Sequence, residues 1–553
     1  MRADRVLYGK VITLDRESTL AEGVAIAAGR ILAVGTRTRL EALRGPGTVV
    51  DDFGGAAIIP GFNDTHAHMD SLGMQAILPS LAGARSIADI LARIRALAAT
   101  TNKGAWIAVM PVGDPPFHFD PLATIAEHRM PTRHELDAAA PDHPVYICAP
   151  SGYWGGIPVR SALNSLGLQR NGIDRSTRPS AAGIEIELDA AGEPTGVIVE
   201  QNFANLAEMD LLPAVPRLTT RDRLGAVRNA QHRFHAVGTT SIYEGHGSTP
   251  ELLAIYRELH ERGELTMRVN TPIAPTWGTL EEARLAMRDW LPLVRGRGCG
   301  DARLRVAGVF IGFGGDPAVA RLQQRNLADT GWYNMVMQAN SAEDYEALCL
   351  LAAEHDLRVH TVASDNIDKV LPIMERIAQR YPIGARRWLL EHLSYASPDI
   401  VRRLKAIGVA TSLIPVHQLW KVATRFAHLT GEALDYLVPA KQLFEAGVPV
   451  SAGTDAIPHN PLFCLWVMTA REERLFGRVM GAPGRVSNET ALRLLTAGGA
   501  WLSFEEHEKG AIAPGFHADL AVLARDPLET HGKALQDIGC VATIVGGRDV
   551  HRA

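Results

Sequence analysis

The chain has 553 residues, of which 46% are hydrophobic and 21% charged, a balance typical of globular proteins that excludes disordered and fibrous classes. Its formal net charge is −5, and no Lys/Arg block is present to track phosphates, so neither nucleic acid nor an anionic membrane surface is expected as a partner. The five cysteines are scattered and form no CxxC pair, and no run approaches the roughly 18 apolar residues needed to cross a bilayer, so a soluble, cytoplasmic protein without disulfides is expected.

In chain order, residues 1–58 read as short strands broken by tight turns, and the last fifty residues have the same texture. The two ends, 1–58 and 504–553, are therefore expected to form one composite β-sandwich domain. Between them, apolar β-rich runs alternate with amphipathic helical stretches, the signature of βα units. Eight such runs are found, at 57–59, 239–243, 266–273, 304–311, 357–362, 388–390, 409–414 and 448–452. Helices are expected at 250–261, 342–355, 365–380 and 397–406. This pattern predicts an α/β fold, a (β/α)8 TIM barrel over 59–503. The gap between the first and second runs is too long for a barrel connection, so an inserted α+β segment is expected over 71–225.

The strongest local feature is Pro60-Gly61-Phe62-Asn63-Asp64-Thr65-His66-Ala67-His68. In extended chain, residues two apart face the same side, so His66 and His68 can present imidazoles to one metal ion. One His-x-His pair arises easily by chance among 20 histidines. Position strengthens the signal. His360 ends the fifth run, His392 the sixth and Asp455 the eighth, and barrel enzymes place their catalytic groups at the C-terminal ends of strands. Each alone reads more readily as a satisfied buried histidine or a capping aspartate; the joint placement favours a metal centre. Three imidazoles and a carboxylate form a zinc-type set, and Asp455 is the candidate general base and acid.

With these residues in place, the sequence resembles the amidohydrolase superfamily, in its amidohydrolase-3 branch of N-substituted formamide deformylase-like proteins. The likeness includes the His66/His68 pair, the segment Gly192-Glu193-Pro194-Thr195-Gly196, and His360, His392 and Asp455. It extends through Gly510-Ala511-Ile512-Ala513-Pro514-Gly515. What it implies is a metal-dependent hydrolase cleaving the C–N bond of a small amide, carbamate, urea or similar molecule, working as a homodimer. Many members bridge two metals with a carboxylated lysine on the fourth strand; here Phe310 stands at that position. A single divalent ion is therefore expected, zinc first and manganese, cobalt or iron as alternatives, held by His66, His68, His360 and Asp455, with His392 polarising water or substrate.

Glu244 is an alternative bridging carboxylate, and His246 a further ligand or substrate contact. His459, Phe310, Tyr153, Trp154 and Arg160 are candidate substrate contacts, the aromatic pair fitting an apolar substrate portion. Ester or lactone hydrolysis on the same site is the alternative chemistry. A catalytically silent barrel subunit is the alternative of another class, and the retained Asp455 argues against it.

Overall fold

The computed structural model describes residues 1–114, 118, 121–151, 156–202, 205–325, 338–456 and 458–553. The chain divides into two compact units, one made of Met1–Met69, Ala230–Gly314 and Asn340–Ala553, the other of Asp70–Asn229 with Gly315–Ala339.

The first unit contains a sheet of eight parallel strands, here β1 (Phe62–Ala67), β2 (Thr239–Glu244), β3 (Arg268–Ile273), β4 (Leu304–Phe310), β5 (Val359–Val362), β6 (Leu389–Glu391), β7 (Ala410–Leu413) and β8 (Val450–Ala452). Among the described residues they pair in sequence order, with a short strand Cys299–Gly300 added antiparallel to β4. Both faces of such a sheet are covered, so the strands read as nearly continuous buried runs. In β1, β2 and β3 every residue is buried. The α/β barrel expected from the sequence is the fold found.

One strand is placed differently from the sequence expectation. Residues 57–59 belong to the long strand Val49–Pro60, which pairs antiparallel with Leu520–Leu523, and the first barrel strand is the following segment, Phe62–Ala67. Apolar character cannot separate two consecutive strands joined at Gly61. What separates them is partner choice, since Gly61 N–H donates to Asp519 O while Phe62 N–H donates to Gly238 O.

The barrel closes through side chains as well as backbone. Asp455 N–H donates to His66 O at 2.8 Å, and the buried Asp64 carboxylate accepts from Thr454 N (2.9 Å), Thr454 Oγ1 (2.5 Å) and His66 N (3.2 Å). A Cβ on Gly453 would stand 2.5 Å from His66 N, so only glycine lets β8 approach β1 this closely.

A seven-stranded sheet drawn from both ends of the chain completes this unit. It is tied to the barrel by a buried ion pair in which Arg268 of β3 donates to Asp519, Nη2 to Oδ1, at 3.0 Å. Burial alone would raise the Asp519 carboxyl, but the Arg268 charge and hydrogen bonds hold it at about 2. Replacing Asp519 with asparagine leaves Arg268 uncompensated, so a loss of about 3–5 kcal/mol is expected by denaturant titration. The same pair makes stability acid-sensitive. Its contribution is complete above the unfolded carboxyl value of about 3.9 and is lost as pH falls towards 2.

The second unit carries a five-stranded sheet ordered Ile107–Val109, Val145–Ile147, Val159–Leu163, Pro194–Glu200, Ile184–Leu188, backed by the amphipathic helix Ile87–Ala98. Among the described residues no helix is long and apolar enough to cross a membrane.

Candidate active site

At the C-terminal end of the barrel, side chains from β1, β2, β6 and β8 converge. His66 is fully buried at the end of β1, and His68 is the first residue beyond that strand. His246 follows β2, His392 follows β6, and Asp455 lies three residues past β8. Those three adopt left-handed backbone, with φ of +59°, +56° and +58°. For residues other than glycine this conformation is costly, and such strain collects where function dictates side-chain direction.

Two overlapping donor groups form, His66 with His68 and His246, and His66 with His392 and Asp455, the donor atoms within each lying no more than 4.8 Å apart. His392 Nε2 is 2.9 Å from His66 Nε2. His68 Nε2 is 3.3 Å from Asp455 Oδ1, which is 3.9 Å from His66 Nε2. His417, on the short π-helix Val416–Lys421 after β7, places Nδ1 3.4 Å from Asp455 Oδ2.

Electrostatics suits a cation here. Burial and mutual repulsion pull His66 and His246 well below the usual imidazole range, and burial pulls His392 down to about 3. The rings are therefore neutral at pH 7, with lone pairs to offer. Burial opposes ionisation of Asp455, but hydrogen bonds with His417 and His68 prevail and hold it well below the usual carboxylate range. Neutral imidazoles and one carboxylate around a common point match a zinc-type divalent ion.

His360 stands apart from both groups. It is buried inside the barrel, its Nε2 3.2 Å from the Tyr243 hydroxyl and its Nδ1 3.4 Å from Glu391 Oε1. Of the expected set, His66, His68, His392 and Asp455 are brought together, and His246 joins them. Glu244 lies beside the cluster, 4.0 Å from His68 Nδ1, and accepts from Tyr256 Oη (2.8 Å) and Met69 N (3.3 Å), which ties β2 to the segment after β1. Phe310 is buried with its ring 5.6 Å from that of His246. His459 packs edge-on against Phe234 at 5.7 Å, and burial lowers it to about 4. Arg160 lies on Val159–Leu163 of the second unit, whereas Tyr153 and Trp154 fall outside the described residues.

His417 is absent from the sequence expectation, although it sits three residues past the run 409–414, where the rule that selects His360 and His392 applies equally. Gln418 and Glu391 carry no signal in the sequence. Their partners come from other strands.

Gly245 shapes the His66 pocket. A Cβ there would stand 2.4 Å from His66 Nε2 and 2.5 Å from its Cε1. The His392 and His246 rings flank His66 with centroids 4.4 and 4.9 Å away, so the imidazole has little room to yield. Gly245→Ala is expected to cost about 1–3 kcal/mol of stability through overpacking. It should also lower turnover about 10²-fold by displacing one donor. Thermal melts and steady-state rates on the same preparation check both.

Against known proteins, the model described as the amidohydrolase family matches residues 49–551. The chain belongs to the amidohydrolase family. It is similar to the N-substituted formamide deformylase of Arthrobacter pascens, 25% identical with 99% of this chain and 98% of that protein covered. It also resembles the protein LONG AFTER FAR-RED 3 of Arabidopsis thaliana, 23% identical with 99% and 91% covered. Among solved structures, a metal-dependent hydrolase from Pyrococcus horikoshii OT3 shares the fold, with a TM-score of 0.67, 22% identity, and 95% and 98% coverage. As an amidohydrolase, the chain is an enzyme of C–N bond hydrolysis acting on small molecules, as its sequence leads one to expect.

Proposed function

We propose that the chain hydrolyses an amide, carbamate, urea or similar C–N bond at the C-terminal end of the barrel, with one divalent ion held by His66, His68, His246 and Asp455. The observation that carries this reading is the convergence of those four side chains and His392 from four separate strands. His246 takes the place the sequence reading gave to His360, so the set remains three imidazoles and a carboxylate. Zinc fits these donors best.

When bound, such an ion supplies Lewis acidity and lets water ionise near neutral pH. The chain's own groups do the rest. Asp455 is ionised and takes up the proton of the attacking water, then returns it to the departing nitrogen. His417 orients that carboxylate from the side of Oδ2. Gln418 Nε2 donates to His392 Nδ1 at 3.2 Å and to His392 O at 3.3 Å, which places the His392 proton on Nε2. That N–H faces His66 Nε2 at 2.9 Å; with the His66 lone pair on the ion, it would be released to polarise the substrate carbonyl. Phe310, at the position of a bridging lysine, offers no ligand atom, so a single ion is proposed. Its ring lines the site beside His246.

The test combines composition with turnover. Elemental analysis is expected to give one divalent ion per chain. A panel of N-substituted formamides, other amides and matched esters should show amide hydrolysis that a chelator abolishes and zinc restores. Cleavage of esters alone, or amide turnover indifferent to chelation, would overturn the proposal.

A further inference from the structure

We propose that Glu391 is a positioning residue whose carboxylate accepts the Nδ1 protons of His66 and His360, locking both imidazoles in the tautomer with a lone pair on Nε2. Glu391 ends β6 inside the barrel and is fully buried. Its Oε2 lies 3.6 Å from His66 Nδ1 and its Oε1 3.4 Å from His360 Nδ1, while Oε2 also accepts the His246 backbone N–H at 3.4 Å. Among the described residues, His66 Nδ1, His360 Nδ1 and Glu391 Oε1 are buried polar atoms without a hydrogen bond. Three such atoms packed together are costly, and small side-chain rotations let the two nitrogens donate to the one carboxylate.

The proton assignment follows from the other end of the same chain of contacts. Gln418 donates to His392 Nδ1, so the His392 proton sits on Nε2. That proton faces His66 Nε2 at 2.9 Å, which must then carry a lone pair, the one an ion would take in place of this hydrogen bond. The His66 proton is left on Nδ1, facing Glu391. At His360 the Tyr243 hydroxyl, which itself receives a hydrogen bond from Arg358 Nη1 at 3.2 Å, has His360 Nε2 at 3.2 Å and Ala307 O at 3.4 Å as acceptors for its single proton, and donation to the nearer one leaves the same Nδ1–H tautomer. One carboxylate thus fixes two rings. Carboxylate partners of this kind orient ligating histidines and raise their basicity.

This inference rests on the reading that His66 holds a divalent ion through Nε2, so wild-type zinc binding is measured first, by competition with a chelator. Absence of a stoichiometric site there sinks both readings. With that site established, Glu391→Gln, which keeps the shape but offers a single acceptor oxygen, is expected to weaken zinc binding about 10–100-fold while the ion-free protein stays folded by circular dichroism. Wild-type zinc affinity in the folded variant would overturn the Glu391 role alone, even if its melting temperature falls. Should the variant not fold, 15N spectra of histidine-labelled wild-type protein decide. Nδ1-protonated signals for His66 and His360, assigned with His66→Gln and His360→Gln, are expected, and Nε2-protonated signals would refute the inference.

Discussion

Replacing Asp455 with asparagine is expected to reduce turnover about 10²–10⁴-fold, the typical share of proton transfer in such steps. The substitution is clean on structural grounds. Asp455 has φ of +58°, and asparagine tolerates left-handed backbone better than most residues. Its carboxamide oxygen can still face His68 from 3.3 Å, so ion content should fall little. What is lost is the negative charge and the ability to accept a proton. Rates measured beside elemental analysis separate these effects, and near-normal turnover would refute the assigned role.

Replacing His66 and His68 together with alanine is expected to release the ion and abolish activity. The two rings lie with centroids 5.1 Å apart, and His66 belongs to both donor groups. Its loss therefore dismantles the centre rather than trimming one edge. Removing a buried ring also creates a cavity, so some stability falls with it. Ion content per chain in the folded variant is the decisive measurement. Content equal to wild type would place the ion elsewhere.

Much of this architecture is legible in the linear order because parallel barrel strands are buried on both faces and announce themselves as apolar runs. The run 357–362 matches Val359–Val362, and 409–414 matches Ala410–Leu413. Helices are marked by period and by caps. The helix Pro250–Glu261 begins on Thr249, whose side chain accepts from Leu252 N, and Pro398–Ile407 begins on Ser397 in the same way. The first barrel strand was harder to read, since the apolar run 56–59 belongs to Val49–Pro60 of the other sheet, whereas the barrel strand Phe62–Ala67 is mostly polar although every residue of it is buried.

In the site, distance along a strand was legible and direction beyond its end was not. His66 and His68 declare themselves by spacing, and His392 and Asp455 by following apolar runs. His360 satisfies the same rule, yet it belongs to β5 itself and meets Tyr243 and Glu391 within the barrel. His246 and His392 lie past their strands, where left-handed backbone turns them into the cluster. No periodicity encodes that turn.

The sequence by itself determined the α/β barrel and marked candidate metal-binding side chains at its strand ends, because these follow from local patterns of burial and residue chemistry. Only the tertiary structure decided which histidines share a centre, where Glu391 stands between two rings, and that Gly245 and Gly453 leave room for His66. Those outcomes depend on contacts between residues hundreds of positions apart, and their angles are fixed only when β8 closes against β1.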